Sequence, residues 1–236
     1  MTHHAPQVQN SPLEQLEQLQ SQIVLCRQCP RLVAWREEVA RVKKAAYRGE
    51  NYWGKPVPGF GDSRARLVLI GLAPGAHGSN RTGRMFTGDS SGNFLFAALF
   101  RAGFASQPES VSRSDGLELT DCFITAPVRC VPPENKPTPT ELKTCSSWFS
   151  AELELLERRR VTLTLGRIGH EAFVKFLGLS PRAYPFAHGA EFTLPDGTIL
   201  LSSYHVSRQN TQTLRLTTSM FDALLERVQT LLEPYP

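Results

Sequence analysis

The stretch from Gly71 to Gly92, GLAPGAHGSNRTGRMFTGDSSG, joins six glycines to polar and charged side chains that are suited to binding a ligand. Glycine allows the backbone to approach a ligand closely or to adopt a positive φ. Loops of this length in compact domains are uncommon unless they are functional or disordered. Neither GxxxxGK followed by Ser or Thr nor GxGxxG occurs here, which disfavours a nucleotide-cofactor site. The stretch therefore predicts a ligand-binding loop, with a surface loop that merely contains glycines as the alternative.

Five cysteines indicate a second chemistry, metal binding. Their odd number and the absence of a secretion signal argue against a disulfide framework. Cys26 and Cys29 form a CxxC pair, and Cys130 and Cys145 lie further along the chain. Because thiolates are soft ligands of zinc and of iron–sulfur clusters, these four cysteines predict one metal site without distinguishing the two. Four unrelated free cysteines are the alternative. Cys122, within an apolar run, is expected to be a small buried hydrophobic residue.

Length and composition bound the class of protein. The chain has 236 residues, of which 41% are hydrophobic and 20% are charged, as in a globular protein with one sizeable core. We expect a flexible N-terminus at 1–10 and a single domain over 11–236, in a monomer. No apolar run is long enough for a membrane span, and no signal peptide is recognisable, so a cytoplasmic location is expected. The net charge of +4 is compatible with a polyanionic partner but does not demonstrate one.

Strands and helices must position these residues, and the glycine-rich loop follows the clearest strand. Residues 66–72, RLVLIGL, form a short apolar run typical of a strand buried on both faces of a parallel sheet. Ligands of open α/β sheets bind beyond the carboxyl ends of such strands, where this loop begins. A helix is expected over 92–103, with Ser91 as its capping residue and its first N–H groups directed at an anion.

Helical and extended patterns alternate along the rest of the chain and predict an α/β fold with a mostly parallel central sheet. Thr138 and Glu141 form a capping box before a helix that should run to about Arg159. Further helices are predicted from Ser11 to the CxxC pair, over 32–42, over 168–178 and over 221–232, and further strands over 119–126 and 161–165.

A hairpin is predicted near the C-terminus. The segments 192–194 and 198–202 are apolar or β-branched, and a Pro-Asp-Gly sequence between them supplies the turn. Residues 47–64 and 204–217 have no periodic pattern and are expected to be loops.

Four motifs together resemble a known family. They are CxxCP at 26–30, the glycine-rich loop, RCVPPENKPTPTEL at 129–142 and HVSRQNTQT at 205–213. In this combination and order the chain resembles the iron–sulfur uracil-DNA glycosylases of family 5, also called type B. The resemblance implies the three-layer uracil-DNA-glycosylase fold, with a mostly parallel sheet flanked by helices. It also implies hydrolysis of the bond between uracil and deoxyribose in single- and double-stranded DNA, and a 4Fe-4S cluster on Cys26, Cys29, Cys130 and Cys145.

The resemblance assigns two catalytic residues. Other branches place an acid two residues after the glycine at the strand end, but Ala73 occupies that position here. Asp89, downstream in the same loop, resembles the displaced carboxylate of family 5. His205 matches the histidine that hydrogen-bonds the base. Each has a simpler alternative, which is a helix cap for Asp89 and a core imidazole for His205.

The base-binding residues follow from the same resemblance. Phe86 matches the aromatic residue on which a flipped base stacks, and packing in the core is its alternative role. Ala126 occupies the position of an asparagine that recognises uracil in related families, so Asn135 is the nearest amide in the motif. Gly71 contributes backbone to the same pocket. Without an amide at Ala126 the pocket should be permissive and accept other deaminated bases, hypoxanthine first.

The resemblance also places two segments against DNA. The HVSRQNTQT motif matches the loop that enters DNA, although Leu214 follows it where glycine is expected. Polar residues of the glycine-rich loop are assigned to DNA as well. The residues predicted to contact DNA are Asn80, Arg81, Arg84, Ser207, Arg208, Gln209 and Asn210.

A different class of function stays open. Ala73 and Ala126 replace two familiar functional side chains, which is compatible with a catalytically silent iron–sulfur module that only binds DNA. The retention of both Asp89 and His205 argues for the enzyme, because a silent module has little reason to keep the pair. Release of free base from uracil-containing DNA distinguishes the two.

Overall fold

The fold is built on a six-stranded sheet, seen in a computed structural model that describes residues 11–233. The predicted flexible segment 1–10 lies outside these residues. The strands are β1 (Phe60–Gly61), β2 (Leu67–Ile70), β3 (Cys122–Thr125), β4 (Val161–Leu165), β5 (Glu191–Thr193) and β6 (Ile199–Ser203), in the spatial order β1-β3-β2-β4-β6-β5. The helices are α1 (Pro12–Val24), α2 (Pro30–Val42), α3 (Ser79–Thr82), α4 (Ser90–Arg101), α5 (Pro139–Leu155), α6 (Arg167–Phe176), α7 (Arg208–Gln212) and α8 (Thr218–Leu232).

The four central strands are parallel, which confirms the predicted α/β class. β3, β2, β4 and β6 pair in parallel register, and β1 and β5 add antiparallel edges. Every residue of β2, β3 and β4 is buried. Burial on both faces explains why these strands appear in the sequence as continuous apolar runs. The carboxyl ends of all four parallel strands therefore meet at one edge of the sheet.

Helices cover both faces of the sheet, so the domain has three layers. The side chains of β2 alternate between two apolar clusters, with Leu67 and Leu69 in one and Val68 and Ile70 in the other. The first cluster contains residues of α4 and α8, and the second contains residues of α1, α5 and α6. No helix in the described part of the chain is long and apolar enough to cross a membrane.

Local signals placed most helix starts correctly. Thr138 and Glu141 form the predicted capping box at α5, and Ser11 with Glu14 forms another at α1. The helix predicted to reach about Arg159 ends at Leu155.

Three predictions for extended and loop segments were wrong. The strand predicted over 119–126 covers only β3, because the residues before it form a turn and a single bridge. The predicted loop at 47–64 contains β1, a two-residue strand held by backbone pairing with β3. The predicted loop at 204–217 contains α7, which Ser207 caps by accepting a hydrogen bond from the backbone N–H of Asn210.

A buried ion pair joins α5 to the segment after β3. Arg129 Nη2 donates to Glu152 Oε2 over 2.7 Å, and the two side chains are 1% and 0% exposed. Glu152 also accepts hydrogen bonds from Thr125 Oγ1 and, over 2.9 Å, from the backbone N–H of Gly59. A charge this deeply buried requires both a counter-charge and hydrogen bonds. Glu152 therefore holds α5, β3 and the chain before β1 together.

Substituting Glu152→Gln should strongly destabilise the protein, because it leaves the buried Arg129 charge without a counter-charge. We expect a loss of about 3 kcal/mol in the free energy of unfolding, measured by urea denaturation. Glu154→Gln, on the same helix and exposed, is the matched control and should change stability by less than about 0.5 kcal/mol. Similar losses for the two variants would contradict this role of Glu152.

Candidate active site

A cleft of about 590 Å³ lies at the carboxyl edge of the sheet. A volume of this size suits a small ligand or a single base. Segments that follow all four parallel strands line it: Gly71 after β2, Ala126 after β3, Gly166 after β4 and His205 after β6. This is the edge at which open α/β sheets bind their ligands.

Asp89 serves both as a helix cap and as a wall of this cleft. Its Oδ1 accepts hydrogen bonds of 3.0 Å from the backbone N–H groups of Ser91 and Gly92 at the start of α4. The prediction that Ser91 caps this helix was wrong, because Asp89 lies one position before the first helical residue. Its Oδ2 lies against Gly78, where any Cβ would collide with it. The glycine at 78 thus makes room for the carboxylate.

Burial raises the pKa of Asp89, although the N–H groups of Gly92 and Ser91 and the charge of Arg81 lower it in part. A carboxylate removed from water interacts more strongly with a nearby positive charge than a solvated one. The position of Asp89 therefore suits it to act on positive charge that forms in the cleft.

Phe86 presents an aromatic wall in a strained conformation. Its φ is +51°, which is rare for a large side chain, and its N–H donates to Ser79 Oγ over 3.0 Å. Its ring lies against the end of β2, where a Cβ on Gly71 would be 3.0 Å from Phe86 Cζ. Such strain persists only where the surroundings impose it. Gly71 and Ser79 thus hold the Phe86 ring at the strand end.

His205 faces the same cleft as Phe86, with the two ring centroids 6.2 Å apart and tilted by 34°. Burial lowers the pKa of His205, so the imidazole is neutral at neutral pH and still carries one N–H donor. Asn210 Nδ2 donates to the backbone carbonyl of His205 over 2.8 Å and holds the backbone in place. The geometry therefore supplies a fixed neutral donor opposite an aromatic wall.

Three further predicted base-binding residues also line the cleft. Asn135 is exposed, with a φ of +56°. Ala126 is 1% exposed and directly follows β3, and its methyl group presents no polar atom to the cleft. Ala73, in the position of the missing acid, is also part of the lining. The structure brings these residues together with Phe86 and His205.

The residues predicted to contact DNA separate into two groups. In the loop after β6, Ser207 and Gln209 line the cleft, and Arg208 is exposed beside them. Asn210 supports His205, as described above. Leu214 is 73% exposed and has a φ of +56°, which explains why glycine is expected at its position.

In the glycine-rich loop, the three polar side chains predicted to contact DNA are buried. Arg84 donates to both carboxylate oxygens of Asp115, over 2.8 and 2.6 Å. Arg81 pairs with Glu50 and donates to the carbonyl of Gly88 over 2.7 Å. Asn80 is fully buried, and its Nδ2 donates to the Arg36 carbonyl over 3.2 Å. Asn80, Arg81 and Arg84 thus hold the loop in shape, and their contact with DNA stays a prediction.

The four predicted metal-binding cysteines line one small cavity between α2, α5 and the segment after β3. Trp148 Nε1 donates to Cys26 Sγ over 3.3 Å, and the buried Arg36 Nη1 donates to Cys130 Sγ over 3.0 Å. Burial raises the pKa of Cys130 to about 11 and that of Cys145 to about 12. Among residues 11–233, no group of three or more His, Cys, Asp or Glu side chains is placed to hold a metal ion. Cys122 is fully buried in β3, as predicted.

The segment after β4 was missed by sequence reasoning. Gly166, Arg167, Ile168 and Gly169 all line the cleft. The signal that identifies them is their position directly after a parallel strand, the same rule that identified the loop after β2.

Comparison with known proteins agrees with this geometry. The family model described as "Uracil DNA glycosylase superfamily" matches residues 58–229. A type-5 uracil-DNA glycosylase of Thermus thermophilus is 59% identical over 86% of this chain and 93% of its own length. One from Mycobacterium bovis is 50% identical over 91% of this chain and 81% of its own, and one from Pyrobaculum aerophilum is 45% identical over 88% and 89%. The chain therefore belongs to the uracil DNA glycosylase superfamily and, within it, to the type-5 uracil-DNA glycosylases.

Proposed function

We propose that this protein is a DNA repair enzyme that hydrolyses the N-glycosidic bond of uracil in single- and double-stranded DNA and leaves an abasic site. The observation that carries the proposal is the meeting of Asp89, Phe86 and His205 on one cleft at the carboxyl edge of the sheet. The names of the relatives support the same activity. The cytoplasmic location and the monomeric state expected from the sequence stay predictions.

The reaction begins with extrusion of the damaged nucleotide, because the glycosidic bond is inaccessible inside a duplex. The base enters the cleft and stacks on Phe86, and the exposed amide of Asn135, which also lines the cleft, hydrogen-bonds its polar edge. Aromatic side chains stack on bases of any identity, so Phe86 provides affinity and leaves selectivity to the polar groups.

Cleavage of the glycosidic bond leaves positive charge on the sugar and negative charge on the base. Each of the two catalytic side chains stabilises one of these charges. The sugar becomes an oxocarbenium-like cation, which the desolvated Asp89 carboxylate stabilises. The departing base becomes an anion, to which the neutral imidazole of His205 donates a hydrogen bond. Water, oriented by Asp89, then adds to the sugar carbon, and the proton that it gives up neutralises the base anion. No lysine lines the cleft in residues 11–233, so the reaction proceeds by hydrolysis without a Schiff base.

Release of uracil from a labelled oligonucleotide tests this function. The protein should release free uracil from single- and double-stranded substrates, and the strand should stay intact until alkali is added. Failure to release uracil from either substrate would favour the DNA-binding module without catalysis. A strand nicked without alkali would contradict the hydrolytic mechanism.

Two substitutions of Asp89 should separate catalysis from capping. Asp89→Asn keeps an oxygen for the N–H groups of Ser91 and Gly92, so stability should hold while single-turnover rates fall about 100-fold or more. Asp89→Ala should lose the same activity and also about 1 kcal/mol of stability, measured by urea denaturation.

Thr217→Ala is the matched control for the cap, because Thr217 Oγ1 caps α8 by accepting from the Met220 N–H over 3.2 Å. Thr217→Ala should lose about as much stability as Asp89→Ala and keep the single-turnover rate of the parent. Parent rates in Asp89→Asn would remove the Asp89 carboxylate from the mechanism.

We also propose a broad substrate range that includes hypoxanthine. An amide at the position directly after β3 would reject a wrong base, because that base would leave the amide without a hydrogen-bond partner. Ala126 presents only a methyl group there. Normal bases stay excluded because extruding a paired base costs a few kcal/mol, and least for a mismatched or damaged one. The parent should therefore remove hypoxanthine from DNA as well as uracil.

Comparison of the parent with Ala126→Asn tests this. Single-turnover rates should show that the substitution lowers the rate on hypoxanthine at least tenfold relative to uracil, as expected when a buried amide loses its partner. A parent without activity on hypoxanthine, or an unchanged preference in the variant, would contradict this role for Ala126.

We further propose that Cys26, Cys29, Cys130 and Cys145 hold a 4Fe-4S cluster. No three of these side chains are placed around a single metal ion among residues 11–233, but the donor set suits a larger cluster, since four thiols line one cavity and Cys₄ ligation is the usual arrangement. Two buried arginines flank the cavity, and Arg129 Nε and Nη1 have no hydrogen-bond partner within the described part of the chain. The positive charge of Arg36, which donates to Cys130 Sγ, suits an anionic group of thiolates, whereas the charge of Arg129 is already paired with Glu152. When bound, the cluster would link the chain after α1 to α5 and to the segment after β3.

Metal analysis and visible absorbance test the cluster. The purified protein should be brown and contain iron and acid-labile sulfide in equal amounts, and Cys145→Ala should lose both and unfold at a lower temperature. Cys122→Ala, which alters the one cysteine outside the cavity, should keep the colour and the iron. Zinc in place of iron, or colour retained in Cys145→Ala, would contradict the assignment.

A further inference from the structure

A second groove of about 410 Å³ lies beside the base cleft. The two share Gly166, Arg167 and His205, so the groove continues the cleft past the proposed catalytic histidine. The rest of its lining consists of Phe186, Ala187, Tyr204, Asn210 and Arg215. The groove therefore contains two arginines and two aromatic rings that the sequence did not predict to be site residues.

The aromatic rings hold the arginine side chains in fixed orientations. Arg167 Cζ lies 5.3 Å from the centroid of the Phe186 ring, and Arg215 Cζ lies 4.7 Å from that of Tyr204. The Tyr204 ring is itself stacked on His188 at 5.0 Å, and its backbone N–H donates to His188 Nδ1 over 3.3 Å. A guanidinium that rests on a ring keeps its N–H edges free, and these edges match a phosphate group.

The groove is positive because its cations are not neutralised. Its lining contains no carboxylate. Within residues 11–233, Arg215 has no carboxylate oxygen within 4.0 Å. Arg167 lies 3.8 Å from Glu171, but both side chains are well exposed, and such a pair contributes little. An anion that enters the groove therefore meets two oriented and available guanidinium groups.

We propose that this groove binds the DNA backbone next to the flipped nucleotide, with Arg167 and Arg215 contacting its phosphates. The proposal rests on the proposed glycosylase function, which places a base in the adjoining cleft. A flipped base carries its own sugar and the flanking phosphates with it, and these must leave the cleft through its open side. Because the groove and the cleft share His205 and Gly166, the groove is that exit. Guanidinium–phosphate pairs form two parallel hydrogen bonds, so they fix the position of the strand as well as bind it.

The salt dependence of binding tests the charge contacts. The probe is a short single-stranded oligonucleotide with one 2′-fluoro-deoxyuridine, whose electron-withdrawing fluorine slows cleavage. Arg167→Gln and Arg215→Gln should each weaken binding about fivefold to tenfold at low salt. Each should also reduce the slope of log affinity against log salt by about 0.7, the value for one phosphate contact on a single strand. Arg167→Lys and Arg215→Lys keep the charge and should keep the slope.

Arg158→Gln is the matched control. Arg158 is exposed and precedes β4, whereas Arg167 follows it, so the two lie at opposite ends of the same strand. The control should bind with the affinity and slope of the parent. Parent slopes in the Arg167 and Arg215 variants would overturn the proposal.

Neutral methylphosphonates, placed singly along the strand, locate the contact. At least one methylphosphonate within two nucleotides of the fluorinated uridine should weaken binding by the parent. The same substitution should have no further effect on the affinity of the Arg167→Gln/Arg215→Gln double variant. Equal losses in both proteins, or a sensitive linkage only at distant positions, would overturn the proposal. Because these are binding measurements, they judge the groove even if the parent releases no uracil, which would refute only the glycosylase function.

Discussion

The buried carboxylate of Glu152 is the constraint on which both the cleft and the cysteine cavity depend. Removing a carboxylate from water is costly unless its oxygens are fully hydrogen-bonded, so its partners are held where they are. Those partners are Gly59, Thr125 and Arg129. Thr125 ends β3 directly before the cleft, and Arg129 directly precedes Cys130. One anion thus fixes two segments only a few residues apart, one that lines the cleft and one that lines the cysteine cavity.

Strain in the glycine-rich loop has a similar physical basis. Phe86 has a backbone conformation that costs of order 1–3 kcal/mol, which the loop must offset with contacts elsewhere. The buried pair of Arg84 with Asp115 provides such contacts, close to Phe86 in the chain. Charged side chains that sequence reasoning assigned to DNA therefore stabilise the geometry that holds the aromatic wall.

Sequence reasoning succeeded where structure depends on local interactions and failed where it depends on contacts between residues far apart in the chain. Apolar runs and capping boxes are local, so β2, β4 and the start of α5 were predicted well. The superfamily and the α/β class also followed, because the motifs are distinctive in order and spacing. The buried state of Arg84 was not predictable, since its partner Asp115 is 31 residues away and the sequence gives no sign of the pairing. The roles of the cleft residues stay predictions.

The cysteine cavity and the cleft have no lining residue in common within the described chain, yet they are mechanically connected. Ala73 lines the cleft and packs against the apolar cluster that contains Cys130, against which Cys29 also packs. The preceding residue, Leu72, accepts a hydrogen bond from the Val128 N–H over 3.3 Å. A group held by the cysteines would thus act on the cleft through packing at Ala73, where a side chain larger than alanine would press against that cluster. Ala73 therefore serves as a point of contact between the cleft and that cluster.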